Sequence, residues 1–305
     1  MTSPNLRSPE ELVTFLLHLP PYSDPKHNLA SITHRQNLVK IWAIPPGAKV
    51  LELGCGQGDF TVPLADAVGP TGHVVAADPM PPDYGTPPLA AAQEHVKKSP
   101  VGPQIDFVRA DSAEYLRSTT ESFDFVILAH CVWYFSDPGV LREILLAAAG
   151  KTKAVLIAEY ALAASRASSV PHVLTALATN ALESFRDASS LRNLRCALSP
   201  PQIVAAAATA GWALYSEENG ILTPAGERYA WRETTMILKR PNYVADVEAL
   251  DESEKVKSML LGMKDALAAS VSMLDGGIDA LVNMDVWAGR FELAAEKISG
   301  FDIAQ

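Results

Sequence analysis

Two stretches of the chain carry residues whose types and spacing can do chemistry. The first is Glu52-Leu53-Gly54-Cys55-Gly56-Gln57-Gly58, an acid followed by three glycines at every second position. Glycine leaves the backbone bare, so a ligand can approach closely and φ can be positive. The spacing differs from the G-x-G-x-x-G run that cradles a pyrophosphate. The Glu52 carboxylate beside the loop would repel a phosphate and suits a cation. The second stretch is His130-Cys131-Val132-Trp133-Tyr134-Phe135. An imidazole can take a proton near neutral pH, and aromatic faces suit a sulfonium or an ammonium. Between them stand Asp78, twenty residues beyond Gly58, and the pair Asp111-Ser112. A carboxylate in the position of Asp78 can accept hydrogen bonds from both hydroxyls of a ribose. Glu159-Tyr160 adds an acid and a phenol further on.

These residues become one site if each ends a strand of a common sheet. Val50, Leu51 and Leu53 form an apolar run of the kind found in buried parallel strands, and a helix is expected from Asp59 to about Ala67. His73–Asp78, Ile105–Ala110, Phe123–Ala129 and Ala154–Tyr160 repeat the pattern, each short and apolar with a chemical residue at its carboxyl end. Open α/β sheets bind ligands at that edge. Helices are expected at residues 9–20 and 31–43, the latter from the spacing of Ile32, Leu38, Val39 and Trp42. This N-terminal segment brings Tyr22, His27, His34 and Arg35 across the mouth of the site. Val170, Leu174, Leu177, Ala181 and Phe185 predict a helix inserted within 161–198, a lid over the pocket. Ser199 to Gly211 reads as a capped helix. Trp212–Leu222 and Tyr229–Leu238 alternate as two closing strands. Beyond Arg240, Val256, Leu260, Met263 and Leu267, and then Leu281, Met284, Ala288, Phe291, Ala295 and Ile298, predict an αα-hairpin broken at Gly276-Gly277.

Taken in order, the glycine loop, Asp78, Asp111 and the FDFVILAHCVWYF stretch resemble the successive motifs of the class I S-adenosylmethionine-dependent methyltransferases, over about residues 45–240. The resemblance implies an α/β fold: a Rossmann-like, seven-stranded, mostly parallel sheet with helices on both faces. To this are added an N-terminal helical cap segment (1–44) and a C-terminal helical extension (241–305). It implies S-adenosyl-L-methionine as cofactor and S-adenosyl-L-homocysteine as product. Glu52, Gly54, Gly56, Gly58, Asp78, Pro79, Asp111, Ser112, Ala129 and His130 would hold the cofactor, with Asp111 at the adenine amino group. Trp133, Tyr134, Glu159, Tyr160 and His34 would face the acceptor, and His130 would be the base. The activity implied is methyl transfer to an O, N or S atom of a small molecule, in secondary metabolism. A protein that uses the same pocket for a rearrangement, or for binding only, is the rival.

Composition narrows the partners. The chain has 305 residues, 48% hydrophobic and 20% charged, an ordinary globular balance. A net charge of −10 disfavours a nucleic-acid partner, because such binding rests on Lys and Arg neutralising phosphates. Cys55, Cys131 and Cys196 show neither a disulfide framework nor zinc-ligand spacing, which favours a reducing cytoplasm. No metal is expected. No stretch reads as a secretory signal or a membrane span. The expected partner is the small-molecule acceptor, and the chain is expected to be a monomer or homodimer.

Overall fold

The computed structural model describes residues 6–19, 24–186, 190 and 192–294. Tyr22, Ala295 and Ile298, named above, lie outside the described residues. Seven strands, β1 (Lys49–Leu53), β2 (His73–Asp78), β3 (Ile105–Arg109), β4 (Phe123–Ala129), β5 (Thr152–Tyr160), β6 (Trp212–Ile221) and β7 (Val286–Leu293), form one sheet in the order β3-β2-β1-β4-β5-β7-β6. The first five are mutually parallel, and β7 runs antiparallel to both β5 and β6. The order reverses at β1 and β4, which leave the sheet in opposite directions. Their carboxyl ends are therefore the crevice where ligands bind in such sheets.

Among the described residues there are eleven α-helices, two before β1 and the rest between strands: α1 (Pro9–Leu12), α2 (Pro25–Ile41), α3 (Thr61–Val68), α4 (Leu89–Lys97), α5 (Ser112–Ser118), α6 (Gly139–Ala148), α7 (Val170–Glu183), α8 (Pro200–Thr209), α9 (Tyr229–Leu238), α10 (Asn242–Glu248) and α11 (Glu254–Ser272). One apolar layer joins α2 and α3 to the sheet through Leu38, Val39, Val62 and Leu64. The other joins α5, α6 and α8 through Leu116, Leu141, Leu145 and Ile203. A third apolar cluster, with Ala178, Ile237, Val247, Leu260 and Leu267, binds α7, α9, α10 and α11 into a helical body beside the sheet.

Four expectations are corrected. Tyr229–Leu238 is helix α9, not a strand, and Ala230, Thr234 and Ile237 form its buried side. The second helix of the C-terminal hairpin is absent from the described residues: Val286–Leu293 is strand β7, seated between β5 and β6. The sheet is thus completed from the region expected to be a helical extension. Its first two strand residues, Val286 and Trp287, are wholly buried, as befits a strand covered on both faces. Helix α2 begins earlier than expected because Asp24 caps it, accepting the Lys26 N–H at 3.0 Å, with Pro25 in the first turn. The first helix stops at Leu12 and continues only as a 3-10 turn, Val13–Phe15. Among the described residues, no helix is long and apolar enough to cross a membrane.

Candidate active site

The glycine loop joins β1 to α3. Gly54 has φ +77°, and a Cβ there would lie 2.7 Å from the Cβ of Cys131. The position therefore demands glycine twice over, by conformation and by space. The Gly54 and Cys55 N–H groups both donate to the Ala77 carbonyl at the end of β2, at 2.8 and 3.2 Å. The loop is drawn against β2 by Asp78, whose carboxylate accepts from Gly56 N–H and Met80 N–H, each at 2.9 Å. A carboxylate has about four acceptor directions, so Asp78 keeps capacity for two further donors.

Glu52 is buried beneath the loop and accepts the Thr61 hydroxyl at 2.6 Å. Burial pushes its carboxyl up to about 8; the Thr61 bond opposes this, and the charges of Asp59 and Asp78 add to it. Several acids with little compensating charge make this corner a poor place for a phosphate and a good one for a cation. Asp111 is exposed and caps α5, accepting Ala113 N–H and Glu114 N–H at 3.0 Å, both on Oδ1. Ser112 is buried in the first turn of that helix, Pro79 is exposed beside Asp78, and Ala129 is half-buried at the end of β4.

His130 follows β4 with φ +53°, a left-handed conformation that non-glycine residues adopt at a cost. Its N–H donates to the Ala158 carbonyl of β5 at 2.9 Å. That turn points the ring at His34 of α2, and the two Nε2 atoms lie 2.9 Å apart. One of them must carry the shared proton. The His130 Nδ1 lies 3.4 Å from Glu159 Oε1 but makes no hydrogen bond in this geometry, and His34 Nδ1 also has no partner among the described residues. Burial, then the charge of Arg35, lowers His130 to about 3. Burial, His130 and Arg35 hold His34 well below its ordinary range. Both rings are neutral at pH 7. Glu159, buried at the end of β5, is raised to about 7 by burial, against the backbone N–H groups of Tyr160, Trp133 and Val132.

Aromatic rings close the space around this pair. Tyr160 lies 5.0 Å from His130 and 5.6 Å from Trp133, centroid to centroid. Trp133 is buried and donates its indole N–H to the Leu198 carbonyl at 2.9 Å, so it supports Tyr160 from behind. Tyr134 is 46% exposed. In front of the glycine loop opens a cleft of about 330 Å³, lined by Gln57 and Asp59 of the loop region, His27 and Ser31 of α2, and Tyr229 and Arg232 of α9. Neither Asp78 nor Asp111 belongs to its lining.

Sequence reasoning placed Arg35 at the mouth of the site but left two features of this region unassigned, the partner of Arg35 and the acid Glu233. Arg35 is buried on α2, bonded to the Ser31 hydroxyl at 2.5 Å and 3.6 Å from Glu227. Burial works against its charge, but Tyr229, Asp59 and Glu227 outweigh that and hold the guanidinium protonated. Glu227 responds differently: burial, opposed by Arg35, raises it to about 7. The other feature is Glu233 of α9, 3.1 Å from the buried His172 of α7. No local pattern announces either, because each joins elements far apart in sequence. Among the described residues, no group of His, Cys, Asp and Glu is arranged to hold a metal ion.

Comparisons with known proteins agree with this architecture. Residues 50–149 match the family model described as a methyltransferase domain. The chain is 27% identical over 288 residues to Methyltransferase phomM of Diaporthe leptostromiformis, covering 81% of this chain and 74% of that one. It is 30% identical over 129 residues to a demethylmenaquinone methyltransferase of Lactobacillus johnsonii, 41% of this chain and 50% of that one. The crystal structure of a cyclopropane-fatty-acyl-phospholipid synthase-like protein from Lactobacillus casei shares its fold. The TM-score is 0.77 at 23% identity, over 93% of this chain and 98% of that one. The sheet order, the glycine turn at its switch point and the domain match agree with one another: the chain has a Rossmann-like, mostly parallel sheet, and its residues 50–149 are similar to the methyltransferase-domain family.

Proposed function

We propose that this protein transfers a methyl group from S-adenosylmethionine to an oxygen, nitrogen or sulfur atom of a small molecule, as part of secondary metabolism. The observation that carries the proposal is the glycine turn held between two acids. A side chain at Gly54 would collide with Cys131, while Glu52 lies buried beneath and Asp78 stitches the loop to β2. That donor set fits a positively charged nucleoside. Gly56 would give it room, and Gly54 and Gly58 would let the loop take its shape against Cys131 and Phe107. Asp78 would take its ribose hydroxyls with the acceptor capacity it has left, and Glu52, neutral at pH 7 in the free protein, would ionise to balance its charge. Asp111, through its unused Oδ2, and Ser112 would serve the adenine, with Pro79 and Ala129 lining the pocket. Bound there, the sulfonium supplies an activated methyl group for in-line displacement.

The remaining chemistry belongs to the chain. The pocket must hold the acceptor close and aligned, a task assigned to Trp133, Tyr134, Tyr160 and the His34 side of α2. It must also take a proton, and His130 with His34 is the proposed base. A ring as weakly basic as His130 accepts a proton only as methylation makes the acceptor atom acidic. The 2.9 Å contact between the two Nε2 atoms already holds one proton, so the acceptor's proton would be taken up on the free Nδ1 of the ring that donates there; for His130 this is the nitrogen that faces Glu159. The net charge of −10 supports a small molecule over a nucleic acid as the partner. Isothermal titration is expected to show binding of S-adenosylmethionine, weakened at least tenfold in Asp78→Ala. Absence of binding to the wild type would overturn the proposal.

A further inference from the structure

Helix α9 presents Tyr229 to the open cleft, and Glu233 stands one turn further along the same side. The adjacent side is spent on packing, through Ala230, Thr234 and Ile237. The Glu233 carboxylate is not free to swing. Its Oε2 lies 3.1 Å from Nε2 of His172, a side chain with 0% exposure. The tautomer of His172 is fixed by its other nitrogen, since Nδ1 accepts the Met284 N–H at 2.9 Å. Nε2 therefore carries the proton and donates it to Glu233. The His172 ring stands edge-on to Tyr160 at 5.0 Å, and Tyr160 lies 5.0 Å from His130 on its other side. The phenol of Tyr160 is raised well above its ordinary range by burial first, and then by the charges of Glu227 and Glu233. Glu233 is thus linked to His130 through two packed rings, His172 and Tyr160. Burying an imidazole is costly, and a carboxylate needed only for solubility would require no such support. Glu233 keeps 37% of its side-chain surface open, and Oε1 bonds to no other described residue.

We infer that Glu233 anchors the methyl acceptor: its carboxylate receives a hydrogen bond from a hydroxyl or ammonium on a molecule whose apolar body lies along Tyr160 and Tyr134, and His172 is its positioning residue. The inference rests on the methyl-transfer proposal and deepens it. It names the acceptor class as a small, largely apolar molecule bearing one such donor.

The test uses the full chain saturated with S-adenosylhomocysteine, whose binding is measured first. If that ligand does not bind the wild type, the methyl-transfer reading itself fails. Ligand-observed NMR then gives dissociation constants for three probes of one size: phenethylamine, 2-phenylethanol and ethylbenzene. The amine or the alcohol is expected to bind at least tenfold tighter than ethylbenzene. Glu233→Ala is expected to remove that margin without changing the affinity for S-adenosylhomocysteine. Glu233→Gln separates the two donors: it abolishes the margin of an ammonium, which needs the charge, and largely spares that of a hydroxyl. His172→Ala is expected to behave like Glu233→Ala, whereas His172→Gln, which keeps an N–H toward Glu233, retains most of the margin. Equal binding of the three probes, or a margin that survives Glu233→Ala, overturns the inference even where S-adenosylhomocysteine binds. Equal behaviour of the two His172 variants overturns the positioning role.

Discussion

His130 sits in a left-handed backbone conformation that a glycine would adopt freely, with φ +53°. Strain of this kind costs on the order of 1–3 kcal/mol and persists where the surroundings impose it. Here it aims the ring at His34, so stability and chemistry make opposite demands on one residue. Two substitutions separate them. His130→Gly is expected to be more stable toward urea than His130→Ala, because it relieves the backbone. Both are expected to lose turnover by about 10²–10⁴-fold, the usual worth of a positioned base, with cofactor affinity retained. Turnover equal to wild type would return His130 to a structural role. His130 was legible in the sequence because it follows an unmistakable strand and precedes an aromatic run. His172 and Glu233 were not, and Arg35 was placed at the mouth of the site but without its partner, because their meaning lies in partners 61 to 192 residues away, Glu233 for His172 and Glu227 for Arg35.

Among the elements, the five parallel strands could be read directly: each is short and apolar and stops on a residue with chemistry. The C-terminal third could not. Tyr229–Leu238 alternates well enough for a strand, yet Ala230, Thr234 and Ile237 also fit one side of a helix, and packing against α7 and α11 decides the matter. Strand β7 fails in the opposite sense. It is covered on both faces, so alternation disappears, and the apolar residues left behind fall at helical spacing by coincidence. Helix α2 is tied to the segment before α9 by Arg35 and Glu227 at 3.6 Å, both buried. Removing only the acid strands a buried guanidinium, at a cost of about 3–5 kcal/mol. Glu227→Leu is therefore expected to be more destabilised in urea than the double variant Arg35→Met/Glu227→Leu. A double variant that loses the sum of the two single losses would show that the contact between α2 and this segment does not depend on the pair.

Across the molecule, the buried acids and imidazoles set opposing pH dependences. Glu52, Glu159 and Glu227 are raised by burial from an ordinary 4.5 to about 8, 7 and 7. Between 4.5 and those values the folded chain binds more protons than the unfolded one, so stability falls as pH rises. His130 and His27 are lowered by burial from 6.5 to about 3 and 4. They act with the opposite sign, costing stability as pH drops below 6.5. The two effects overlap and partly cancel between 4.5 and 6.5. Above 6.5 only the acids remain. The melting temperature of the ligand-free protein is therefore expected to fall between pH 6.5 and 8, and Glu52→Gln is expected to flatten that decline. A melting temperature that climbs over this interval would contradict the account.

The position of β7 also has a bearing on how the chain is made. It is hydrogen-bonded to β5 on one side and β6 on the other, yet among the described strands it is the last to leave the ribosome. Until residue 293 has been synthesised, β5 offers an unpaired edge with an apolar centre, Ala154 to Ala158, to any passing strand, a template for aggregation. Chains stopped before residue 286 are expected to collect as insoluble aggregates on expression. Supplying residues 281–305 in trans should recover part of them in solution.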